Sequence, residues 1–293
     1  MNAALRLLKK RGVGLLSIFV ALFLFVLLFD DGGAVEVMRA DAVSAVRLPI
    51  IMYHAVLKDP QRANEYTVSP AQVEKDMLYL KNQGYTAVLP GELVDYVNGK
   101  TELPDKPIMI TFDDGYYSSL VYVLPILKRL DMKAVVSVVG SYTQKASELM
   151  DQNPAYAYLA WEDICALEES GRVEVASHTY ALHTTKNGRE GVKRKHWESR
   201  EAHETVLKSD IEVFETAMEQ HCGVPITTFA YPFGSWDDDT EAVLRKTGFT
   251  VTLTCRERMN YIERNPASLY HLGRYNRPSG VSTEEFMKKA LKG

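Results

Sequence analysis

Apolar residues along this chain fall into short runs, and between the runs apolar and polar positions recur with a helical period. The runs lie at 48–54 (LPIIMYH), 85–89 (YTAVL), 107–112 (PIMITF), 133–140 (KAVVSVVG), 173–178 (VEVASH), 226–231 (ITTFAY) and 249–254 (FTVTLT). Such runs predict strands covered on both faces. The stretches between them predict helices over 69–84, 91–99, 116–130, 160–171, 199–221 and 237–248. Ser69 is the expected N-cap of the first, with Pro70 at its first position, Gln72 completing a capping box and Gly84 as stop. Pro125 is placed to kink the third.

Alternation of strand and helix predicts an α/β fold with a parallel sheet under helices. Its size suits a distorted, incomplete (β/α) barrel of about seven units, and a doubly wound open sheet is the alternative. In both topologies function gathers at the carboxyl ends of the strands.

The first residues follow another pattern. Arg6, Lys9, Lys10 and Arg11 precede an uncharged run at 12–29, GVGLLSIFVALFLFVLLF, closed by Asp30 and Asp31. A basic flank before an apolar run reads as a signal peptide or signal anchor, and this one approaches the ~20 residues that span a bilayer. Small residues at 40–45 (ADAVSA) leave cleavage open. The positive-inside rule keeps the basic end in the cytoplasm and sends the rest outward. The expected organisation is a basic flank and anchor at 1–29, a stalk at 30–47 and one domain at 48–293. A single-pass protein with an extracytoplasmic domain is expected, or a secreted one if the leader is removed.

The net charge of −4 gives no reason to expect nucleic acid as a partner. Cys165, Cys222 and Cys255 lie far apart with no Cys-x-x-Cys pair. A thiolate zinc cage is therefore not expected, and at most one disulfide can form.

Chemistry collects where the predicted strands end. His54 follows the first run, Asp113 and Asp114 follow PIMITF, His178 and His183 follow VEVAS, and Pro232-Phe233-Gly234 follows ITTFAY. In a barrel these loops share one rim. Two imidazoles and one carboxylate, with positions left open for water, describe a catalytic zinc-like site, and Asp114, His178 and His183 fit that count. The chain must turn between the two histidines, because residues five apart do not share a face of a helix or a strand. A cation there offsets the repulsion between adjacent aspartates and leaves Asp113 ionised to take a proton from the attacking water. Gly115 lets the backbone approach closely. Tyr116 and Tyr231 are candidates for stacking on a bound ligand, and Trp161 for stacking or for the core. His196, His203 and His221 lie in a charged helical region and are expected in solvent. Asp237, Asp238 and Asp239 read as a helix N-terminus.

Together these residues resemble the polysaccharide deacetylase family, also called the NodB-homology or carbohydrate esterase 4 family. TFDDG (111–115), SHTYALH (177–183) and YPFG (231–234) resemble its first three motifs in order, over roughly residues 48–280. The resemblance implies a distorted (β/α) barrel and one divalent metal ion, zinc first and cobalt, nickel or iron as alternatives. The implied activity is hydrolytic removal of acetyl groups from N-acetylglucosamine units of a polysaccharide by a metal-dependent N-deacetylase acting as a monomer. Asp113 is the implied base, Asp114, His178 and His183 the ligands, and the Phe233 backbone N–H an oxyanion donor. The family's third motif usually carries Arg where Ala230 stands. PIIMYH at the start of the domain, with LGRYN (272–276) at its end, resembles the circularly permuted branch that contains poly-N-acetylglucosamine deacetylases. In that branch the first strand supplies the acid, here His54. LYH (269–271) makes His271 a rival. Arg274 either replaces the missing arginine or lies at the surface, and stays outside the expected catalytic set. Peptidoglycan deacetylation and an inactive glycan-binding protein are the alternative functions.

Overall fold

The computed structural model describes residues 45–292. The apolar run at 12–29 and nearly all of the expected stalk lie outside them. Among the described residues no helix is long and apolar enough to cross a membrane.

Seven strands make the body of the domain: β1 (Ile50–Tyr53), β2 (Pro107–Phe112), β3 (Ala134–Val138), β4 (Val173–Ser177), β5 (Thr228–Ala230), β6 (Val251–Leu253) and β7 (Tyr275–Asn276). Every neighbouring pair is parallel, and the order is β6-β5-β4-β3-β2-β1-β7. A doubly wound sheet would reverse its order partway. This one does not. Leu272 bridges Leu253 of β6, while Tyr275 pairs with Ile51 of β1. One short segment, 272–276, therefore reaches both β6 and β1 and curls the sheet into the distorted, incomplete (β/α) barrel that the sequence predicts.

Side-chain parity explains how the barrel aims its rim. Ile50, Met109, Val135, Ala176, Ala230 and Leu253 belong to one apolar cluster. Ile51, Ile110, Val136, Val175 and Phe229 belong to another, which includes residues of the surrounding helices. Successive residues of a strand point to opposite faces. The interior series 50-52-54, 109-111-113 and 174-176-178 thus ends at His54, Asp113 and His178.

Helices α1 (Pro70–Asn82), α2 (Pro90–Val97), α3 (Leu124–Leu130), α4 (Gly140–Leu149), α5 (Trp161–Glu169), α6 (Arg200–Cys222), α7 (Asp238–Lys246) and α8 (Thr283–Lys292) cover the barrel. Ser69 caps α1 by accepting from the Gln72 N–H, but the Gln72 amide donates to Asp76 and Thr283, so the capping box is half formed. Asp237 caps α7, as the acidic run suggested. The expected 116–130 helix is a π-helical turn at Ser119–Val123 followed by α3, with Pro125 in its first turn. Two helices were not legible, α4 and α8. Nor was the antiparallel pairing of Asn260–Ile262 with Val46–Leu48.

Two cross-links tie the shell together. Asp76 of α1 accepts from the Tyr53 hydroxyl (2.9 Å), Arg277 Nε (2.8 Å) and Thr283 Oγ1 (2.6 Å). Cys165 of α5 is disulfide-bonded to Cys222 at the end of α6, and Cys255 is free.

One sequence expectation about side chains is corrected, and one left open is decided. His203 is buried, not solvated, with Nε2 2.8 Å from the Val192 carbonyl, whereas His196 and His221 are exposed. Trp161 is core.

Candidate metal centre

β2 ends at Phe112 in a sharp reversal. Asp114 and Gly115 are both left-handed, each with φ of 72°. A β-carbon on Gly115 would lie 3.0 Å from Val138 Cγ1, so this position needs glycine for its conformation and its space alike. Thr179 (φ 74°), just after His178, and Phe233 (φ 59°) are also left-handed. Three rim loops thus carry a strained residue beside the candidate chemistry, where such strain tends to collect.

The turn after β4 brings the two histidines together. Asp210 of α6 accepts from the Tyr180 and Ala181 N–H groups, both at 2.7 Å, and holds the loop that returns His183 to the rim. His178 Nδ1 is 2.7 Å from the Ala230 carbonyl, leaving Nε2 toward Asp114. The Asp114 carboxylate lies 3.5 Å from His183 Nε2 and 3.8 Å from His178 Nε2. One ligand atom from each of the three residues lies within 4.8 Å of the others. This donor set suits a divalent ion with open positions. Burial pushes His178 down to about 4 and lowers His183, which keeps both imidazoles neutral and able to ligate. Burial also pushes the Asp114 carboxyl up to about 6, and the neighbouring Asp113 adds to it. A cation beside Asp114 would oppose that rise.

Asp113 is treated differently. Burial alone would raise its carboxyl, but Arg274, with His178 and His54 adding to it, holds it well below the usual carboxylate range. Arg274 Nη1 and Nη2 each donate to one Asp113 oxygen at 2.7 Å, and Nε donates to the Thr254 carbonyl at 2.9 Å. The expectation that left Arg274 aside, as a possible surface residue, is corrected: its side chain is fully buried. It faces the interior from the 272–276 segment, where Nη1 also donates to Thr111 Oγ1 at 3.1 Å.

A cavity of about 560 Å³ gathers His54, Asp113, Asp114, His178, His183 and Phe233. Its wall also includes Glu65, Tyr66, Cys255 and Asn276, which sequence reasoning did not single out. His54 packs edge-on against Tyr66, with ring centroids 4.9 Å apart. The Phe233 ring lies 4.6 Å from His183. His271 is outside this lining. It stacks on Trp236 at 3.5 Å and contacts Glu241.

One substrate candidate is displaced. Tyr231 is wholly buried and stacks near Phe229 and Trp236, so it cannot meet a sugar. Parity predicts this, since Phe229 and Tyr231 alternate with the interior residues Thr228 and Ala230. Tyr116 is half-buried beside the Asp114 carboxylate and stacks on Tyr158 at 5.1 Å.

A parallel barrel with paired aspartates and two histidines at its carboxyl rim defines a hydrolase-like metal centre by class. The sequence profile described as polysaccharide deacetylase matches residues 100–252, and the chain belongs to that family. The match takes in Asp113, Asp114, His178, His183 and Phe233, but neither His54 nor Arg274. YxkH of Bacillus subtilis is 24% identical over 208 residues, 71% of this chain and 64% of that protein. The poly-beta-1,6-N-acetyl-D-glucosamine N-deacetylase of Escherichia coli K12 is 28% identical over 141 residues, 45% of this chain. The chain thus spans under two thirds of YxkH and 20% of the E. coli protein. Among solved structures, IcaB from Ammonifex degensii superposes with a TM-score of 0.67 at 25% identity, covering 85% of this chain and 97% of that one.

Proposed function

We propose that this protein hydrolyses the acetamido group of N-acetylglucosamine units in a surface or extracellular polysaccharide, with poly-β-1,6-N-acetylglucosamine as the first candidate. The observation that carries the reading is one cavity holding an arginine-paired aspartate, a separate Asp-His-His donor set and an independent histidine.

Asp114, His178 and His183 would hold one divalent ion, zinc being the first candidate, and such an ion supplies Lewis acidity toward a carbonyl. Asp113 is the base. Arg274 keeps it anionic and fixes its plane, so it takes a proton from the attacking water rather than competing as a ligand. His54, arriving from β1, gives a proton to the departing sugar amine as the carbon–nitrogen bond breaks. The Phe233 backbone, turned into the left-handed region at the mouth, is the candidate oxyanion donor. The products are acetate and a free amino sugar. Using His54 rather than His271 as the acid corresponds to the permuted arrangement.

The Cys165–Cys222 disulfide supports placing the domain in an oxidising, extracytoplasmic compartment. An anchor at 12–29 would tether it to the membrane.

The test is acetate release by the full chain from partly hydrolysed poly-N-acetylglucosamine and from peptidoglycan, side by side. Release from the first alone supports the reading. Release from peptidoglycan alone would transfer the chemistry to that polymer, and release from neither would refute the activity.

A further inference from the structure

Trp197 is 71% exposed, yet it sits on a surface segment held by a buried ion pair and by hydrogen bonds to its neighbours. Single exposed apolar residues are ordinary and need no explanation. The setting of this one is not ordinary. Arg189 and Glu198 flank it in an ion pair with side-chain exposures of only 8% and 10%. The Arg194 N–H donates to Asp237 (3.0 Å) and its Nε to Asp239 (2.7 Å). The Val192 carbonyl receives both His203 Nε2 (2.8 Å) and the Thr240 hydroxyl (3.0 Å). Long loops usually move, but this one is pinned to α6 and α7 on either side of its indole.

The segment also reaches the catalytic mouth. A β-carbon on Gly188 would fall 2.2 Å from the Trp197 ring, so the indole lies on the Gly188 backbone. A β-carbon on Gly191 would lie 3.0 Å from the Pro232 carbonyl and 3.6 Å from the Phe233 ring. Gly188 and Gly191 are three residues apart and so at most about 11 Å from each other. Phe233, itself 46% exposed, lines the cavity. Two exposed aromatic rings, Trp197 and Phe233, are therefore connected through the short Gly188–Gly191 stretch.

We propose that Trp197 is a stacking platform for a pyranose ring of the polymer, a few sugars along from the unit being deacetylated. This rests on the function proposed above. A pyranose presents a face of C–H groups, and the indole face is both apolar and electron-rich, so the two surfaces match without a charged partner. Holding the ring rigid beforehand removes the ordering cost that a mobile loop would carry.

The experiment titrates the full-length wild type, Trp197→Ala and Trp197→Phe with N-acetylglucosamine oligomers of increasing length. Indole fluorescence and acetate release are read in parallel. The expected result is quenching by long oligomers that is lost in Trp197→Ala, and a KM about tenfold higher in that variant for long oligomers only. Phenylalanine should restore most of the affinity. Equal KM values for wild type and Trp197→Ala on long oligomers would overturn the platform, as would a loss that does not depend on length. Quenching by anionic phospholipid vesicles but not by oligomers would also overturn it, assigning the surface to a membrane. Should the wild type quench with oligomers but release no acetate, the platform stands and the deacetylase reading fails.

Discussion

Arg274 grips both carboxylate oxygens of Asp113 at 2.7 Å, and both side chains are buried, Asp113 opening only onto the cavity. The two residues are 161 positions apart in sequence. A bidentate guanidinium fixes the plane of a carboxylate as well as its charge. Lysine cannot do both. Arg274→Lys should therefore keep the metal and lose activity, while Arg274→Met should also unfold more easily, by about 3–5 kcal/mol, because it strands a buried charge. Asp113→Asn should keep the metal and cut turnover about 10²–10⁴-fold. Metal content and acetate release measured on the same samples check all three; loss of metal in Asp113→Asn would make that residue a ligand.

The Asp-His-His set should bind one divalent ion per chain. His178→Ala and His183→Ala are expected to abolish binding, and Asp114→Asn to weaken it. Elemental analysis after dialysis against a chelator and reloading gives the stoichiometry. Full occupancy in either histidine variant would remove this site from consideration.

His54 and His271 make opposite predictions. His54→Ala should retain the metal and lose turnover on acetamido sugars, where the amine leaves only once protonated. It should lose far less on an activated acetyl ester, whose leaving group needs no proton. His271→Ala should perturb the stack on Trp236 and little of the chemistry. Reversal of that pattern would put the acid on the segment before β7.

The disulfide closes a separation of 57 residues. Chain-entropy reasoning assigns such a loop about 4 kcal/mol. Replacing both Cys165 and Cys222 by alanine should lower the urea midpoint accordingly, and the wild type unfolded under reducing conditions should behave the same way. An unchanged midpoint would show the bond to be absent or without effect.

Glu168 gives a pH signature remote from the metal. Burial pushes its carboxyl up to about 7, against the hydrogen bond it accepts from the Val175 N–H. Because the folded value is raised, the neutral form favours folding, and that contribution fades as pH climbs from the ordinary glutamate range through about 7. Glu168→Gln, which stays neutral, should exceed wild type by about 2 kcal/mol near pH 8 and match it near pH 4. Thermal denaturation at both values tests the sign.

Much of this was readable before any coordinates. Buried strands left their period in the sequence, and a period of two carries directly to the rim residues His54, Asp113 and His178. Two misplacements came from not applying periodicity far enough. Tyr231 is on the outward parity of β5. His203 stands at the head of a stripe through Leu207, Ile211, Phe214 and Met218 on α6, all buried. Arg274 was harder. Its partner is distant, and it stands just before β7, a strand of two residues that is too short to show a pattern. Trp197 has no periodic signal at all, since its setting comes from ion pairs between separate segments.

The segment that links β1 to β6 follows every other strand of the barrel in the chain and is made after them. Until residues 272–276 arrive, β1 and β6 lack the strand between them, and Asp113 lacks the guanidinium that keeps it charged. A nascent chain would thus hold its Asp-His-His donors some time before it held a competent base. Assembly of the active centre is a late, long-range event, of the kind that slows folding.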